Sequence, residues 1–463
     1  MTAPHGRAAL AIEELTDEQY GQVVRPGDAE YDAARTVYVG DVDRRPAVIL
    51  RPRNAEQVAR VVTLARETGT ELAVRGGGHS GAGHGVCEGG IVLDLHHLKG
   101  LEIDVEARTA WAEAGISAGE YTAAAAEHGL ATGFGDSTMV GVAGITLGGG
   151  IGFLSRKYGM TIDDLLAAEI VTADGELLSV DERHHPDLFW AIRGGGGNFG
   201  VVTRLKLRLH EVDGVYGGIM VLPVTPEILE DFIAEAEAAP EELTTIVNVW
   251  TAPPFPFIPA EQHGKPIILA VMCYAGPAED GEKVIGRFRA IAPPLADMVR
   301  AIPYPAMFGP ADPSAHPISA VRNIFIDRVD RATAETILDR TAASDAITAG
   351  VQLRVLGGAI ARVADDATAY PHRQSRIMAH LTAVYADLAD ADRYEAWVEE
   401  FMTAIRQSDT GSYVNFVVRA DEEDVREALY PGATGERLAR IKAEYDPANL
   451  FRSNHNIVPA TSG

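Results

Sequence analysis

Arg75-Gly76-Gly77-Gly78-His79-Ser80 lies between two short apolar runs, residues 71–74 and 91–95. Its three consecutive glycines can take positive φ angles and let a ligand approach the main chain closely. Successive backbone N–H groups in such a turn form a binding site for an anion. His79 stands where that ligand would lie. Taken alone, the stretch fits a glycine-rich turn with one exposed histidine equally well, so the rest of the chain has to decide between the two interpretations.

The length and charge of the chain exclude several classes of protein. With 463 residues the chain is too long for a single core, so two domains are expected. A formal net charge of −26 argues against nucleic acid as a partner. Cys87 and Cys273 cannot form a disulfide framework and suit a reducing compartment. Residues 1–7 lack the pattern of a signal peptide and no run of about 18 apolar residues occurs, so a cytoplasmic protein without a membrane span is expected.

The first glycine run follows a predicted β–α–β unit. Residues 1–45 predict a leading helix and a mobile connection. Strand 47–50, a helix opened by the capping box at residues 54–57, and strand 71–74 come next. Residues 101–113 then predict a β-hairpin, and a second capping box opens an alanine-rich helix after it.

Two further glycine-rich stretches follow in the same half of the chain. Residues 140–153 are glycine-dense and otherwise apolar, which predicts a loop laid flat against a large planar ligand. Residues 193–200 read Arg-Gly-Gly-Gly-Gly-Asn-Phe-Gly, after a helical run at 187–192 and before a strand at 201–207. Strand 165–171 is predicted to be buried.

The composition changes after about residue 212, where a second domain is predicted. Strands alternate with helical stretches there, which indicates an antiparallel sheet covered by helices. The predicted strands are residues 217–222, 244–250 and 266–274, and a long amphipathic helix is predicted at 387–407. A short strand at 412–416 and a helix-containing tail at 438–459 end the pattern.

The common nucleotide and hydrolase motifs do not fit. The pattern G-x-G-x-x-G occurs at Gly76/Gly78/Gly81 and at Gly195/Gly197/Gly200. A Rossmann site needs a strand before and a helix after this pattern, and neither occurrence has that context. The sequence contains no G-x-x-x-x-G-K-[ST] of a P-loop and no G-x-S-x-G of an α/β-hydrolase.

A metal site is not expected either. The histidine pairs at 96–97 and 184–185 are adjacent in sequence, and neighbouring side chains of a strand point to opposite faces. No H-E-x-x-H or cysteine-rich ligand spacing occurs. Three glycine-rich stretches outside the usual nucleotide motifs, with places for phosphate and for a flat ring, instead suggest a dinucleotide bound in extended form.

Five motifs in one order resemble a known family. They are the glycine run with His79, residues 140–152, Val-Thr-Ala-Asp-Gly at 171–175, residues 187–203, and Tyr-Asp-Pro-Ala-Asn-Leu-Phe-Arg-Ser-Asn-His-Asn-Ile at 445–457. Together they resemble the FAD-linked oxidases of the vanillyl-alcohol oxidase superfamily, in the berberine-bridge-enzyme-like branch. The resemblance covers nearly the whole chain and is loosest in the middle third.

This resemblance implies an α+β fold with a two-lobed FAD-binding domain and a substrate domain that has an antiparallel sheet covered by helices. The FAD domain would span residues 1–212, with lobes at about 1–100 and 101–212. Residues 213–416 would bind the substrate. Residues 417–463 would return to the FAD domain.

The same resemblance implies that FAD is attached covalently through His79. Many relatives add a second bond from a cysteine, and that position here is Ser137, a far weaker nucleophile, so a single bond is expected. In this the chain is similar to amine oxidases of the same fold that carry one histidyl link. The other residues expected to contact FAD are Arg75, Gly76, Gly77, Gly78, Ser80, Ser137, Gly141, Gly144, Val171, Asn198, Gly200, Val201, Asn454 and Asn456.

The substrate side departs from the carbohydrate and allylic-alcohol oxidases of the branch. These relatives carry two tyrosines that help to remove the alcohol proton, and this chain has Gly81 and Phe416 at the matching positions. An alcohol needs a base as hydride leaves, whereas a neutral amine already has a lone pair. The substitutions therefore favour an amine or an oxidisable ring. The candidate substrate-side residues are Tyr413, Asn415 and His372, and Tyr274 is a further possible base; for His372 a structural hydrogen bond is the favoured interpretation.

Val140 matches a position beside the flavin where valine accompanies oxidase activity in relatives. The expected function is thus a covalent-flavin oxidase that takes a hydride from a small organic substrate and reduces O₂ to H₂O₂. The alternatives are an alcohol or carbohydrate oxidase, an oxidative tailoring enzyme of secondary metabolism, and a non-catalytic flavin-binding protein. The expected partners are a small-molecule substrate and O₂, with neither nucleic acid nor membrane.

Overall fold

The N-terminal part of the fold is built on a small sheet of mixed direction. The structure is a computed structural model and describes residues 10–418 and 423–461. The glycine run leaves the edge strand of the sheet, and the helix Ala55–Thr68 connects two of its strands. Asn54 accepts a hydrogen bond from the Gln57 backbone N–H, and Gly69 ends the helix at φ 67°. In spatial order the strands are Gln22–Val24, Val48–Arg51, Ile91–Asp94 and Leu72–Arg75.

A second, antiparallel sheet lies beside the first. Its spatial order is Leu101–Asp104, Thr109–Glu113, Val201–Arg208, Leu165–Val171 and Leu177–Val180. The predicted hairpin at 101–113 is therefore correct. The capping box at Ser117 is also present, with Ser117 and Glu120 each bonding the other's backbone N–H at the start of the helix Ala118–Ala126. A short pair joins Leu130–Ala131 to His210–Glu211.

The third sheet is large, antiparallel and covered by helices on one face, as the sequence predicts. Its spatial order is Ala296–Asp297, Val215–Pro223, Pro266–Tyr274, Leu243–Thr251, Thr348–Val355, Ile377–Tyr385 and Ile318–Ile326, with Arg300–Ile302 also paired to Val215–Pro223. Its apolar face buries side chains from the helices Pro226–Ala238, Ala278–Ile291, Arg331–Ala342 and Ala391–Ile405. The opposite face turns toward the first two sheets and bears polar side chains.

The C-terminal segment packs on the N-terminal half of the chain. One hydrophobic core contains Leu50, Val171 and Leu205 together with Leu438 and Phe451. The two small sheets therefore share one core, and residues far apart in sequence complete it. The remaining helices are Asp17–Tyr20, Tyr31–Arg35, Val142–Gly148, Ser155–Tyr158, Pro186–Ile192, Ala359–Arg362, Glu423–Leu429 and Ala433–Tyr445.

Three local predictions are wrong. Residues 142–148 form a short helix in place of the predicted flat loop. The helix runs for two turns and ends at Gly149, which has a φ of 141°. Residues 414–416 form a 3-10 turn and not a strand. The connection after residue 35 is also well packed, since Val37 and Val39 are buried. The start of the predicted leading helix, residues 1–9, lies outside the described residues.

Among the described residues, no helix is both long and apolar enough to cross a membrane.

Candidate functional site

A large cavity separates the glycine-rich stretches from the polar face of the third sheet. Its volume is about 810 Å³, within the range of cofactor and ligand sites. All three glycine-rich stretches reach its wall, although they lie far apart in sequence. Of the residues predicted to contact FAD, the wall includes Arg75, Gly76, Gly77, Gly78, His79, Ser80, Ser137, Gly141, Gly144, Asn198, Gly200, Val201 and Asn454.

The glycines of the wall serve two different needs. Gly77 and Gly141 bring two backbones together, because a Cβ on Gly77 would lie 2.3 Å from the Gly141 nitrogen. Gly144, Gly196 and Gly197 do the opposite: a Cβ on any of them would meet no protein atom within 4 Å. These three glycines leave room along the main chain, which is where a flat or phosphate-bearing ligand needs it. The cavity wall therefore fits an extended dinucleotide.

Arg75 has a structural role despite its place on the cavity wall. Its guanidinium is buried and donates to Asp94 Oδ2 at 2.8 Å and to the Ala34 carbonyl. Asp94 also accepts from Arg51 Nε at 2.8 Å. Burial acts to raise the pKa of Asp94, but Arg75 and Arg51 outweigh it and hold that pKa below its usual value. The charge of Arg75 is thus compensated inside the protein, and the pair fixes the start of the glycine run.

His79 presents a neutral imidazole at the cavity. Its ring stacks on Tyr38, with centroids 4.1 Å apart and planes 17° apart. Burial lowers the pKa of His79, opposed in part by the Asp136 carboxylate. Its Nε2 atom is enclosed and has no hydrogen-bond partner among the described residues. A neutral imidazole has a free lone pair and is the form that can act as a nucleophile.

The C-terminal tail is tied to the third glycine stretch through Asn198. Its side chain donates to the carbonyls of Gly195 and His455 at 2.8 and 3.2 Å and accepts from the Ile457 N–H at 2.9 Å. A buried ion pair, Lys442 Nζ to Asp446 Oδ2 at 2.6 Å, lies behind it. Lys442 also donates to the Asn198 carbonyl at 2.6 Å. This network explains Asp446 of the Tyr-Asp-Pro-Ala-Asn pattern as a support for the cavity wall.

An ion pair crosses the cavity from the third sheet to the loop before Ser137. Arg354 Nη2 donates to Asp136 Oδ2 at 2.6 Å, and Arg354 Nε donates to Gln352 Oε1 at 2.8 Å. Arg354 Nη1 donates to the Ile151 carbonyl at 3.1 Å, and the guanidinium lies 5.0 Å from the Phe416 ring centroid. The Arg354 side chain is buried, whereas Asp136 is partly exposed. Arg354 is therefore fully engaged, and one carboxylate oxygen of Asp136 remains beside the cavity.

His380 and Trp250 also stand on this polar face. The His380 ring packs on Phe416 with centroids 4.7 Å apart. Burial and the nearby Arg354 lower the pKa of His380 to about 4, so it is neutral at physiological pH. Nδ1 of His380 and Nε1 of Trp250 are buried polar atoms without a partner among the described residues. Both residues line the cavity.

Tyr413 and Asn415 lie on the cavity wall but are committed to each other and to the backbone. The Tyr413 oxygen accepts from the Gly150 N–H at 2.8 Å and from Asn415 Nδ2 at 2.9 Å. Asn415 Nδ2 also donates to the Ile145 carbonyl at 3.0 Å. Burial raises the pKa of Tyr413 despite these bonds. With both lone pairs taken and the phenol kept neutral, Tyr413 is poorly suited to accept a proton from a substrate.

The structure does not bring four of the predicted residues to the cavity. His372 packs on Phe325, and its Nε2 lies 3.2 Å from the Leu429 carbonyl, which is the structural bond favoured from the sequence. Tyr274 belongs to the core under the helices of the third sheet. Val171 is buried in its sheet behind Gly200. Asn456 also lies off the wall, although its neighbours 453–455 line it.

The remaining predicted residues are on the wall. Val140 and Ser137 face the cavity, and Ser137 Oγ accepts from the Met139 N–H at 3.3 Å. Gly81 and Phe416, which the family resemblance matches to the two tyrosines of sugar oxidases, also line it. Phe416 fills the space between Arg354 and His380.

Sequence reasoning missed the residues that the third sheet contributes. Asn248, Gln352 and His380 form one row across three adjacent strands, and Gln352 Nε2 donates to Asn248 Oδ1 at 2.9 Å. Polar residues at alternate positions of otherwise buried strands are the signal that could have found them. Tyr38 gave no such signal, since no pattern connects it to His79.

The remaining metal-ligating side chains do not form a cluster in the part of the chain that the structure describes. No group of three or more histidine, cysteine, aspartate or glutamate side chains is arranged there to hold a metal ion. Cys87 and Cys273 are free thiols buried in separate cores.

Comparison with known proteins finds relatives along the whole chain. A family model described as an FAD binding domain matches residues 46–181, and one described as berberine and berberine like matches residues 412–458. An FAD-linked oxidoreductase of Bacillus subtilis (strain 168) is 30% identical over 462 residues, which cover 95% of this chain and 98% of that protein.

Two further matches involve oxidases. (R)-6-hydroxynicotine oxidase of Paenarthrobacter nicotinovorans is 29% identical over 454 residues, covering 96% of this chain and 97% of that protein. The crystal structure of 6-hydroxy-D-nicotine oxidase from Arthrobacter nicotinovorans superimposes with a TM-score of 0.84 at 28% identity, covering 95% and 98% of the two chains.

Proposed function

The chain belongs to the FAD-linked oxidoreductases of the berberine-bridge-enzyme-like branch, and from this premise we propose that it is a covalent-flavin oxidase of small amines or oxidisable rings. It is an FAD-dependent oxidoreductase. The proposal adds the bond to His79, the substrate class and the use of O₂.

The observation that carries the proposal is the position of His79 at the junction of the cavity's glycine-rich walls. The open space beside the main chain at Gly144, Gly196 and Gly197 leaves room for the cofactor. Asn198 holds the C-terminal tail against this part of the cavity wall. When bound, the flavin accepts a hydride from the substrate and delivers the electrons to O₂. His79, neutral and pinned against Tyr38, supplies the nucleophile for a single covalent bond.

The substrate would lie between the bound cofactor, on the glycine-rich part of the cavity wall, and the polar face of the third sheet. No tyrosine hydroxyl stands at Gly81 or Phe416, and the Tyr413 oxygen is already taken by two donors. Gly81 and Phe416 therefore supply no phenol base for an alcohol, while His380 can still accept a hydrogen bond. An amine in its neutral form needs less help with proton removal. The resemblance to (R)-6-hydroxynicotine oxidase supports the same class.

Two side chains would control what else reaches the reacting centre. Val140 lies on the cavity wall with a small branched side chain, which supports access for O₂ and formation of H₂O₂. Phe416, packed between Arg354 and His380, removes water and a polar contact from the substrate side.

A screen for peroxide tests this function. The purified flavoprotein is mixed in air with amines, hydroxylated ring amines, sugars and simple alcohols, and H₂O₂ is followed with a coupled peroxidase. We expect peroxide with at least one amine and none with the sugars. Release of peroxide with sugars alone would overturn the substrate class. Reduction of the flavin by substrate without peroxide would overturn the oxidase assignment while leaving the oxidoreductase intact.

A further inference from the structure

The N-terminal connection places an aromatic ring flat on the imidazole that we propose as the flavin's covalent anchor. Tyr38 and His79 stack at 4.1 Å and 17°, and both line the cavity. The two segments are also joined through the backbone, because the Tyr38 N–H donates to the Gly78 carbonyl at 3.1 Å. The backbone hydrogen bond therefore keeps the two stacked residues on adjoining segments.

Tyr38 is itself anchored from both sides. Arg75 donates to the carbonyls of Ala34 and Thr36 on the N-terminal side. On the other side the Gly40 N–H donates to the Pro317 carbonyl at 3.0 Å. Next to Tyr38, the Val37 carbonyl lies 2.9 Å from His316 Nδ1. The backbone on both sides of Tyr38 is thus held by groups from both halves of the cavity.

This support has a consequence for the imidazole. A histidine ring rotates about χ2 within a broad well, so nothing in His79 itself fixes the plane of its nitrogens. A stacked ring held by its own backbone restricts that rotation. Burial raises the pKa of Tyr38 and lowers that of His79, so neutral rings face each other.

We propose that Tyr38 is a positioning residue for attachment of the flavin, which holds the His79 ring in the orientation that the bond requires. The inference rests on the proposed covalent function of His79. In the overall step, a bond forms between an imidazole nitrogen and the 8α carbon, the methyl group and the imidazole each lose one proton, and two electrons pass to the isoalloxazine ring. O₂ then removes these electrons and becomes H₂O₂.

The test follows the rate of attachment and not turnover. Apo-protein is mixed with FAD in air, samples are denatured in acid at intervals, and the yellow colour that stays with the chain is measured. Total flavin bound before denaturation is measured in parallel. Tyr38→Phe keeps the ring and should attach flavin at the wild-type rate. Tyr38→Leu removes it and should slow attachment roughly tenfold or more while still binding FAD, because orientation and not affinity is lost.

A matched control separates this role from general stability. Tyr158 stacks on His210 with centroids 4.0 Å apart and planes 16° apart, and neither residue lines the cavity. Tyr158→Leu should therefore leave the rate of attachment unchanged. Tyr38→Met, which also lacks a ring, replaces Tyr38→Leu in the comparison if the leucine variant does not fold.

Two results would overturn the inference: attachment at the wild-type rate without the ring at 38, or equally slow attachment in Tyr38→Phe. A failure of the underlying function looks different. If His79→Ala still retains flavin after acid denaturation, the bond is not made by His79, whatever Tyr38 does.

Discussion

Arg354 Nη2 lies 2.6 Å from Asp136 Oδ2, and this ion pair connects the third sheet to the loop that carries Ser137 and Val140. The guanidinium is buried and the carboxylate is partly exposed. The pair therefore holds the substrate face and the cofactor face of the cavity in one geometry. Its removal should affect the stability of the protein more than an ordinary surface pair would.

Asp136→Asn tests the ion pair. The substitution leaves Arg354 buried beside a neutral partner, which we expect to cost about 1–3 kcal/mol in the free energy of unfolding. Thermal unfolding of the apo-protein measures it. The control is Asp345→Asn, which breaks an exposed pair with Arg393 and should leave the unfolding temperature unchanged. Equal unfolding temperatures for Asp136→Asn and the wild type would show that the pair does not hold the two faces together.

Gly144→Leu tests whether the open space along the main chain belongs to the cofactor. A Cβ at this helical position would meet no protein atom within 4 Å and the substitution removes a helix glycine, so we expect the apo-protein to be as stable as the wild type or more so. The same side chain enters the cavity and should weaken FAD binding at least tenfold. Titration with FAD followed by flavin fluorescence measures it.

Gly286 provides the control for that substitution. It lies in the helix Ala278–Ile291, a Cβ added to it would also meet no protein atom within 4 Å, and it does not line the cavity. Gly286→Leu should bind FAD normally. If Gly144→Leu bound FAD as tightly as Gly286→Leu, the cofactor would not lie against the helix Val142–Gly148.

Ser137→Cys tests the absence of a second bond. The serine lies on the cavity wall, at the position that the family resemblance matches to a linking cysteine, and a thiolate is a far stronger nucleophile than a hydroxyl. We expect a peptide mass showing FAD joined to both His79 and residue 137 in the variant. Thr138→Cys, one position away, should show the histidyl bond alone. A variant Ser137→Cys with an unmodified thiol would mean that this loop does not approach the flavin as it does in relatives.

The neutral histidine at 380 predicts how stability depends on pH. The pKa of His380 is about 4 in the folded protein and about 6.5 in an unfolded chain, so between these values the unfolded chain binds more protons. This residue therefore destabilises the fold as the pH falls from about 6.5 to about 4, by about 3 kcal/mol in total. His380→Gln should unfold with a weaker dependence on pH in that window. If His380→Gln and the wild type lost stability equally between pH 6.5 and pH 4, His380 would have to be charged in the folded protein.

Much of the fold could be predicted from local signals. The capping residues Asn54 and Ser117 mark the starts of two helices correctly, since each bonds the helix N-terminus as its sequence context requires. Apolar runs place three strands of the third sheet, those at 215–223, 243–251 and 266–274, to within two residues at each end, whereas its other strands were not predicted. The high glycine content of residues 140–153 led to the wrong prediction of a loop there. Gly141 allows close packing against the Gly77 backbone and Gly144 leaves open space beside the main chain, and neither glycine prevents the helix.

The cofactor side of the site could be predicted because its residues lie in continuous motifs, whereas the substrate side could not. His380, Arg354 and Trp250 come from three different strands, and only the register of the sheet brings them to one face. Tyr38 reaches His79 through a tertiary contact with no sequence pattern. Conversely, His372 and Tyr274 looked suitable by residue type but face other parts of the protein.

Peptide mass spectrometry of the holo-protein would detect the proposed bond between His79 and FAD. The holo-protein is denatured in acid, digested, and searched for a flavin-bearing peptide. We expect one peptide that carries a single FAD on His79, with Ser137 unmodified and no acid-stable flavin in His79→Ala. Free FAD together with an unmodified His79 peptide would show that His79 forms no bond to the flavin.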